Sequence, residues 1–185
     1  MFIKTNTHLT QCAVLLCRQI SPGKKAPKSI LICTKALWGK CKYMNTNSEN
    51  PKVGKDFELV AKEWFEKEYK QPFELYKKIK IGNPPKEHSF DISNKKASIV
   101  VECKCYTWTE SGNVPSAKLA CLNEAVFYLS FLPRKTIKYV VMPKSIHLKR
   151  TETLAEYYYR RYCHLLNDIQ ILEYDFDTLK MNIIN

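Results

Sequence analysis

The chain has 185 residues, and its composition, 45% hydrophobic and 26% charged, is typical of one soluble globular domain. No apolar run approaches the roughly 18 residues that a membrane-spanning helix needs, so we expect no membrane partner. The formal net charge of +12 favours a polyanion, nucleic acid above all, although basic charge can also serve solubility or attract an anionic membrane.

The basic charge is concentrated at the front of the chain. Residues 1–50 contain eight Lys or Arg and one acidic residue, Glu49. Two interpretations of this segment stand side by side: it is a flexible basic arm, or the native start is Met44 and residues 1–43 are an upstream mistranslation. The folded domain is therefore expected over residues 51–185.

The eight cysteines do not form a zinc or disulfide pattern. There is no CxxC pair, and the cluster of His8, Cys12 and Cys17 lacks the spacing of a zinc finger. Several of the later cysteines lie in apolar runs, where a free thiol behaves as a small hydrophobic group. A reducing cytoplasm is the expected location.

From Val53 onwards the hydrophobic periodicity predicts elements in the order α-β-β-β-α-β-α-β. Helices are predicted where apolar residues recur every three or four positions, and strands where they alternate or form short runs. The last helix is expected to begin at Thr151 without a capping box. In chain order the predicted elements are GKDFELVAKEWFEKEY, FELYKKIKIG, HSFDIS, ASIVVECKCYTW, SAKLACLNEAVFYLSFL, TIKYVVMP, TETLAEYYYRRYCHLL and IQILEYD.

Two charged residues interrupt the apolar strand ASIVVECKCYTW. Glu102 and Lys104 are two residues apart, so both side chains project from the same face of the strand. The other face is apolar from Ile99 to Cys105 and is expected to pack against helices. Charged residues rarely enter a buried strand unless they are paired or functional.

Asp91 lies on the strand before this one. If the hairpin pairs Ile92 with Ile99, Asp91 lies opposite Val100 and points to the same face as Glu102. A slip of one residue would send Asp91 to the opposite face, because side chains alternate along a strand. This pairing therefore predicts that two carboxylates and one ammonium group converge.

Two neighbouring carboxylates repel each other, and a divalent cation relieves that repulsion. Asp91 and Glu102 suit Mg²⁺, with Mn²⁺ as a substitute, because Mg²⁺ takes one or two carboxylates together with water and phosphate oxygens. Lys104 could stabilise the charge that develops on a phosphodiester, or orient and deprotonate the attacking water.

The element order, with Asp91 on one strand and Glu102-x-Lys104 on the next, resembles the PD-(D/E)xK nuclease superfamily over roughly residues 53–145. The resemblance implies an α/β, restriction-endonuclease-like core with a mixed central sheet flanked by helices, in the order α-β-β-β-α-β. It also implies magnesium-dependent hydrolysis of phosphodiester bonds, most naturally in DNA, and a homodimer as one possible assembly. Metal binding is carried over to Asp91 and Glu102, catalysis to Asp91, Glu102 and Lys104, and a further metal ligand to Glu58 of the first helix.

The residue before Asp91 is Phe90, where the motif has proline. Three alternatives stay open. Glu102 and Lys104 could form the exposed face of an edge strand, where charges prevent aggregation. Glu58 could belong to an ordinary solvated helix face. The chain could also be a non-catalytic nucleic-acid-binding module that keeps the nuclease fold.

Further residues are candidates for nucleic-acid contact. The loop TWTESGNVPSAK and the aromatic, basic segment YYYRRY have compositions found on nucleic-acid surfaces. A plain polar connection and solvated arginines are the competing interpretations. His147 and His164 have no partner pattern and are predicted to be non-catalytic. The candidate contacts are Trp108, Ser111, Asn113, Ser116, Lys118, Arg160 and Arg161.

Overall fold

A six-stranded sheet organises the protein. The computed structural model describes residues 50–185, so the interpretations of residues 1–49 and the cluster of His8, Cys12 and Cys17 lie outside the described residues. The elements are α1 (Asn50–Tyr69), β1 (Phe73–Ile81), β2 (Lys86–Asn94), β3 (Ile99–Cys103), α2 (Ser116–Ser130), β4 (Ile137–Pro143), α3 (Leu154–Leu166), β5 (Ile169–Asp175) and β6 (Lys180–Ile184).

The strands lie in the sheet in their sequence order, from β1 to β6. The pairs β1–β2, β2–β3 and β5–β6 are antiparallel, whereas β3–β4 and β4–β5 are parallel. The predicted mixed sheet flanked by helices is confirmed, as is the predicted element order. The short strand β6 was not predicted. Because β3 is third in a sheet of six, the interpretation of Glu102 and Lys104 as an edge-strand surface is wrong.

One face of the sheet packs against α1, and we call it the α1 face. Phe57, Ala61 and Phe65 recur every four residues and are completely buried. They pack on β3 residues such as Val101, which confirms the apolar face predicted for that strand. Burying a phenylalanine side chain contributes about 1.5–3 kcal/mol, so these contacts are a large part of what holds α1 in place.

The opposite face packs against α2 and α3, and we call it the α2/α3 face. Leu122 and Leu129 from α2 and Tyr158 from α3 are fully buried there. They pack on Val100 of β3 and Val140 of β4. The sheet is thus covered on both faces, as expected where parallel strands are joined by helices.

The first two strands change faces part of the way along. Leu75 packs on the α1 face, whereas Ile79, four residues on, packs on the α2/α3 face. Residues separated by an even number of positions in a regular strand stay on one face, so β1 is distorted between them. The distortion coincides with Tyr76, whose φ of 55° is unusual for a residue other than glycine.

The third helix begins later than predicted, and it has the capping box that the sequence interpretation denied it. Thr153 is the N-cap, and its hydroxyl accepts a hydrogen bond from the backbone N–H of Glu156 at 3.2 Å. The Glu156 carboxylate in turn accepts the Thr153 N–H at 2.6 Å. Within residues 50–185, no helix is both long and apolar enough to cross a bilayer.

Candidate active site

The hairpin between β2 and β3 has a different register from the one predicted. Ile92 pairs with Val101 and Ser93 with Val100, so the pairing of Ile92 with Ile99 is wrong. The shift is two residues, and an even shift keeps each side chain on its predicted face. The pairing ends at Ile92, and the neighbouring Asp91 reaches the end of β3 through its carboxylate, which accepts the Cys103 N–H.

The side chain of Asn94 explains where the register is set. Its Oδ1 accepts hydrogen bonds from the backbone N–H groups of Ser98 at 2.9 Å and Ile99 at 3.3 Å, and its Nδ2 donates to the Ser98 hydroxyl at 2.8 Å. This buried asparagine closes the turn and holds the backbone of Ser98 and Ile99 there, so the pairing with β2 begins at Val100.

Asp91, Glu102 and Lys104 converge where β2 and β3 separate. The Lys104 Nζ lies 2.8 Å from Glu102 Oε2 and 3.7 Å from Asp91 Oδ2. Asp91 Oδ2 also accepts the backbone N–H of Cys103 at 2.8 Å. The Lys104 N–H donates to the Val141 carbonyl oxygen at 2.9 Å, which holds the lysine beside β4 after β3 has ended.

Glu102 is the most deeply buried charged group of this cluster, with 5% of its surface exposed. Its Oε1 is buried, and the described residues provide no hydrogen-bond donor to it. Burial, followed by repulsion from Asp91, raises the pKa of Glu102 to about 7. A carboxylate oxygen left without a donor in a buried position is costly, and Glu173 Oε1 on β5 is in the same state. What distinguishes Glu102 is its position beside Asp91 and Lys104.

Lys104 carries the positive charge of the site. Burial on its own would lower the pKa of this lysine, but the negative charges of Glu102 and Asp91 raise it above the ordinary lysine value. Lys104 is therefore an ammonium group throughout the physiological range, lying between two carboxylates.

Glu58 is held at the margin of the site by a tyrosine. The hydroxyl of Tyr76 donates to Glu58 Oε2 at 2.5 Å. Burial raises the pKa of Glu58, the Tyr76 hydrogen bond opposes that shift, and the charge of Asp91 adds to it. The influence of Asp91 indicates that Glu58 belongs to the same electrostatic neighbourhood.

Sequence reasoning missed Tyr76. The antiparallel register would pair it with Asp91, yet the pair is absent from the ladder although its neighbours on both sides are present. The residue combines a positive φ, a hydrogen bond to Glu58 and a position opposite Asp91. Unfavourable backbone conformations of this kind cluster at functional sites. No signal in FELYKKIKIG marks the position.

The site offers a divalent cation two carboxylates from the strands. Among residues 50–185, no three His, Cys, Asp or Glu side chains are grouped so that they could hold a metal by themselves. Two carboxylates with the remaining positions taken by water and phosphate are nonetheless what Mg²⁺ prefers, and Glu102 Oε1 is an oxygen in need of a partner. The residues therefore fit magnesium better than a closed structural metal site.

The other predicted nucleic-acid contacts differ in how available they are. Asn113, Ser116 and Ser111 are exposed, whereas Lys118 is half-buried with its Nζ 5.8 Å above the Tyr106 ring. Trp108 is buried, so it is not available for the phosphate contact that the sequence suggested.

The two arginines of α3 also differ. Both are exposed, but Arg160 is held by Glu152 through two hydrogen bonds of 3.0 Å and 2.6 Å. His147 bonds to the backbone of two loops, through Glu110 O and the Lys149 N–H.

Comparison of the chain with protein-family models, with curated proteins and with solved structures found no match.

Proposed function

We propose that this protein is a divalent-metal-dependent nuclease of the restriction-endonuclease-like type, hydrolysing phosphodiester bonds in DNA. The observation that carries the proposal is the convergence of Asp91, Glu102 and Lys104, with a buried Glu102 oxygen that has no donor among the described residues.

Asp91 and Glu102 would hold Mg²⁺ or Mn²⁺, with Glu58 beside them. When bound, the ion supplies electrophilic stabilisation to the scissile phosphate. The Cys103 N–H fixes one Asp91 oxygen and the Tyr76 hydroxyl fixes one Glu58 oxygen, so both carboxylates are oriented before any ligand arrives.

The sequence left two roles open for Lys104, charge stabilisation and activation of the attacking water, and the site favours the first. Because the two carboxylates raise its pKa, Lys104 is a poor base, and we assign it to stabilising the negative charge of the transition state. Its ammonium group donates to Glu102 in the resting site and would turn towards a phosphate oxygen.

The setting we propose is the reducing cytoplasm. None of the four cysteines in the described part of the chain, Cys103, Cys105, Cys121 and Cys163, forms a disulfide. The net charge of +12 favours attraction of the full chain to a polyanionic substrate.

The first experiment compares half-buried Lys104 with buried Lys138. Supercoiled, linear and branched DNA are incubated with the full chain in Mg²⁺, Mn²⁺ or EDTA, beside the variants Lys104→Met and Lys138→Met. Lys138 is 2% exposed and paired with Asp168 at 2.8 Å, so its replacement controls for the loss of a buried charge. We expect metal-dependent cutting that falls by about 100-fold or more in Lys104→Met and persists in Lys138→Met.

Cutting that survives in EDTA, or that falls equally in both variants, would contradict the proposed site. Salt-sensitive DNA binding without cutting would favour the non-catalytic module instead.

A further inference from the structure

The loop between β4 and α3 exposes two apolar side chains at its tip. Ile146 is 61% exposed and Leu148 is fully exposed, with a relative exposure of 104%. We call residues 145–150 the wedge loop. Neither side chain belongs to either buried cluster, so packing does not account for them.

The wedge loop is held rigidly by the neighbouring loop 108–113. Arg150 Nε donates to the Gly112 carbonyl oxygen at 2.7 Å, and the His147 Nε2 is 3.0 Å from the Glu110 carbonyl oxygen. A Cβ added to Gly112 would lie 2.6 Å from the His147 ring, and this glycine has a φ of 80°. Only glycine allows so close an approach, so the two loops form one preorganised unit.

The wedge loop is anchored close to the candidate active site. The Trp108 N–H donates to the Ser145 hydroxyl at 3.3 Å, and the Arg150 guanidinium stacks 4.5 Å from the Trp108 ring. Trp108 is four positions after Lys104, a reach of at most roughly 14 Å. One duplex turn is roughly 34 Å, so one DNA molecule can contact both places.

Basic residues flank the apolar tip. Lys149 and Arg150 follow Leu148 directly, and Lys144, which is paired with Asp175 at 3.0 Å, precedes the loop. Lys149 Nζ donates to the Ser111 carbonyl oxygen at 3.4 Å, which leaves it on the surface beside the tip. An exposed apolar side chain between cations matches a site where phosphates surround a stack of bases.

We propose that Leu148, supported by Ile146, inserts between stacked bases and directs the enzyme to DNA that unstacks easily, such as a bulge, a mismatch or a branch point. This inference rests on the proposed nuclease function and deepens it by naming the substrate class. Apolar wedges between base steps are established where proteins kink DNA, and flexible or damaged steps resist insertion least. Lys149, exposed next to Leu148, would contact the neighbouring phosphate.

Base unstacking is measured in EDTA, so that the result does not depend on cutting. Duplexes with 2-aminopurine beside a two-base bulge, or in a perfect duplex, are titrated with the full chain and with Leu148→Ser, Leu148→Met and Leu165→Ser. Leu165 is 56% exposed on α3 and serves as the matched control. All three substitutions are at exposed side chains, so the fold is expected to be retained.

We expect the fluorescence at the bulge to rise on binding of the unmodified chain, Leu148→Met and Leu165→Ser. Leu148→Ser should lose this rise and about 10-fold of the preference for the bulged duplex. Three outcomes would overturn the wedge proposal. They are equal fluorescence and equal bulge preference in all four proteins, no binding of DNA, and Leu148-dependent binding of anionic phospholipid vesicles instead of DNA. If bases are unstacked but no DNA is cut in Mg²⁺, the wedge proposal stands and the proposed nuclease function is rejected.

Discussion

Two glutamates are buried in the sheet, and only one lies in the candidate site. Glu102 and Glu173 are 5% and 3% exposed, and each has a buried Oε1 without a donor among the described residues. Burial raises the pKa of both carboxyl groups. Glu173 lies on β5, two strands from Glu102, near Thr153 and Lys144 rather than near Asp91. Comparing the two glutamates therefore separates the stability cost of burying a carboxylate from the role of Glu102 in the candidate site.

Glu102 should destabilise the protein increasingly as the pH rises from about 4.5 to about 7. In this window the folded state holds the Glu102 proton more strongly than the unfolded state, so each rise in pH favours unfolding. Glu102→Gln should remove that dependence and raise the free energy of unfolding at pH 8 by on the order of 3 kcal/mol. Urea denaturation at pH 4 and pH 8 measures the effect.

Glu173→Gln is the control for this experiment. It should also raise stability at pH 8, because the same burial is relieved, but it should leave metal-dependent cutting unchanged. Glu102→Gln should abolish cutting. If both variants cut DNA as the unmodified chain does, Glu102 is a structural residue.

Glu102, Lys104 and Asp91 could be predicted as site residues because a register error of two residues leaves each side chain of a regular strand on the same face. Glu102 and Lys104 share a face whatever the hairpin does. Asp91 still reaches them after the two-residue shift, because its carboxylate accepts the Cys103 N–H and lies 3.7 Å from the Lys104 Nζ. The position of Tyr76 could not be predicted, because its positive φ follows from the change of faces in β1 and not from any local turn signal.

At the level of elements, the start of α3 links the fold to the wedge loop. Thr153, the N-cap, is three residues after the end of the wedge loop, and the Leu154 N–H donates to the Ser145 carbonyl oxygen at 3.0 Å. The cap therefore stabilises both the first turn of the helix and the base of the loop.

Thr153→Ala should lower the free energy of unfolding by about 1 kcal/mol, because the N–H of Glu156 loses its acceptor. Thr153→Ser keeps the hydroxyl and should stay close to the unmodified protein. Urea denaturation of the three proteins measures the difference. Equal losses in both variants would mean that the threonine methyl group, and not the cap, provides the stability.

Element boundaries were harder to predict than the elements themselves. The segment TETLAE offers two threonines, and only the second has a glutamate three residues on. The strand β6 is mostly exposed and pairs only with β5, so its sequence lacks the alternation that marks a half-buried strand. Its pairing depends on a partner strand and not on its own pattern.

At the level of the whole molecule, the net charge of +12 predicts salt-dependent DNA binding. The logarithm of the binding constant should fall linearly with the logarithm of salt concentration, by about 0.9 per phosphate contact on duplex DNA. Arg161→Ala should reduce this slope by about 1, whereas Arg160→Ala should leave it unchanged, because Arg160 is already paired with Glu152. Fluorescence anisotropy from low to high salt measures both slopes. Identical slopes for the two variants would remove α3 from the interface.

The change of faces in the first two strands has a consequence for cooperativity. Phe90 and Ile92, on either side of Asp91, belong to the clusters on opposite faces of the sheet. Neither α1 nor the layer of α2 and α3 can separate from the sheet without disrupting β2, because β2 packs against both. Asp91 lies at this crossing point, so its position depends on both layers at once. We therefore expect the site to form in the same cooperative folding transition as the sheet and the helices on both of its faces.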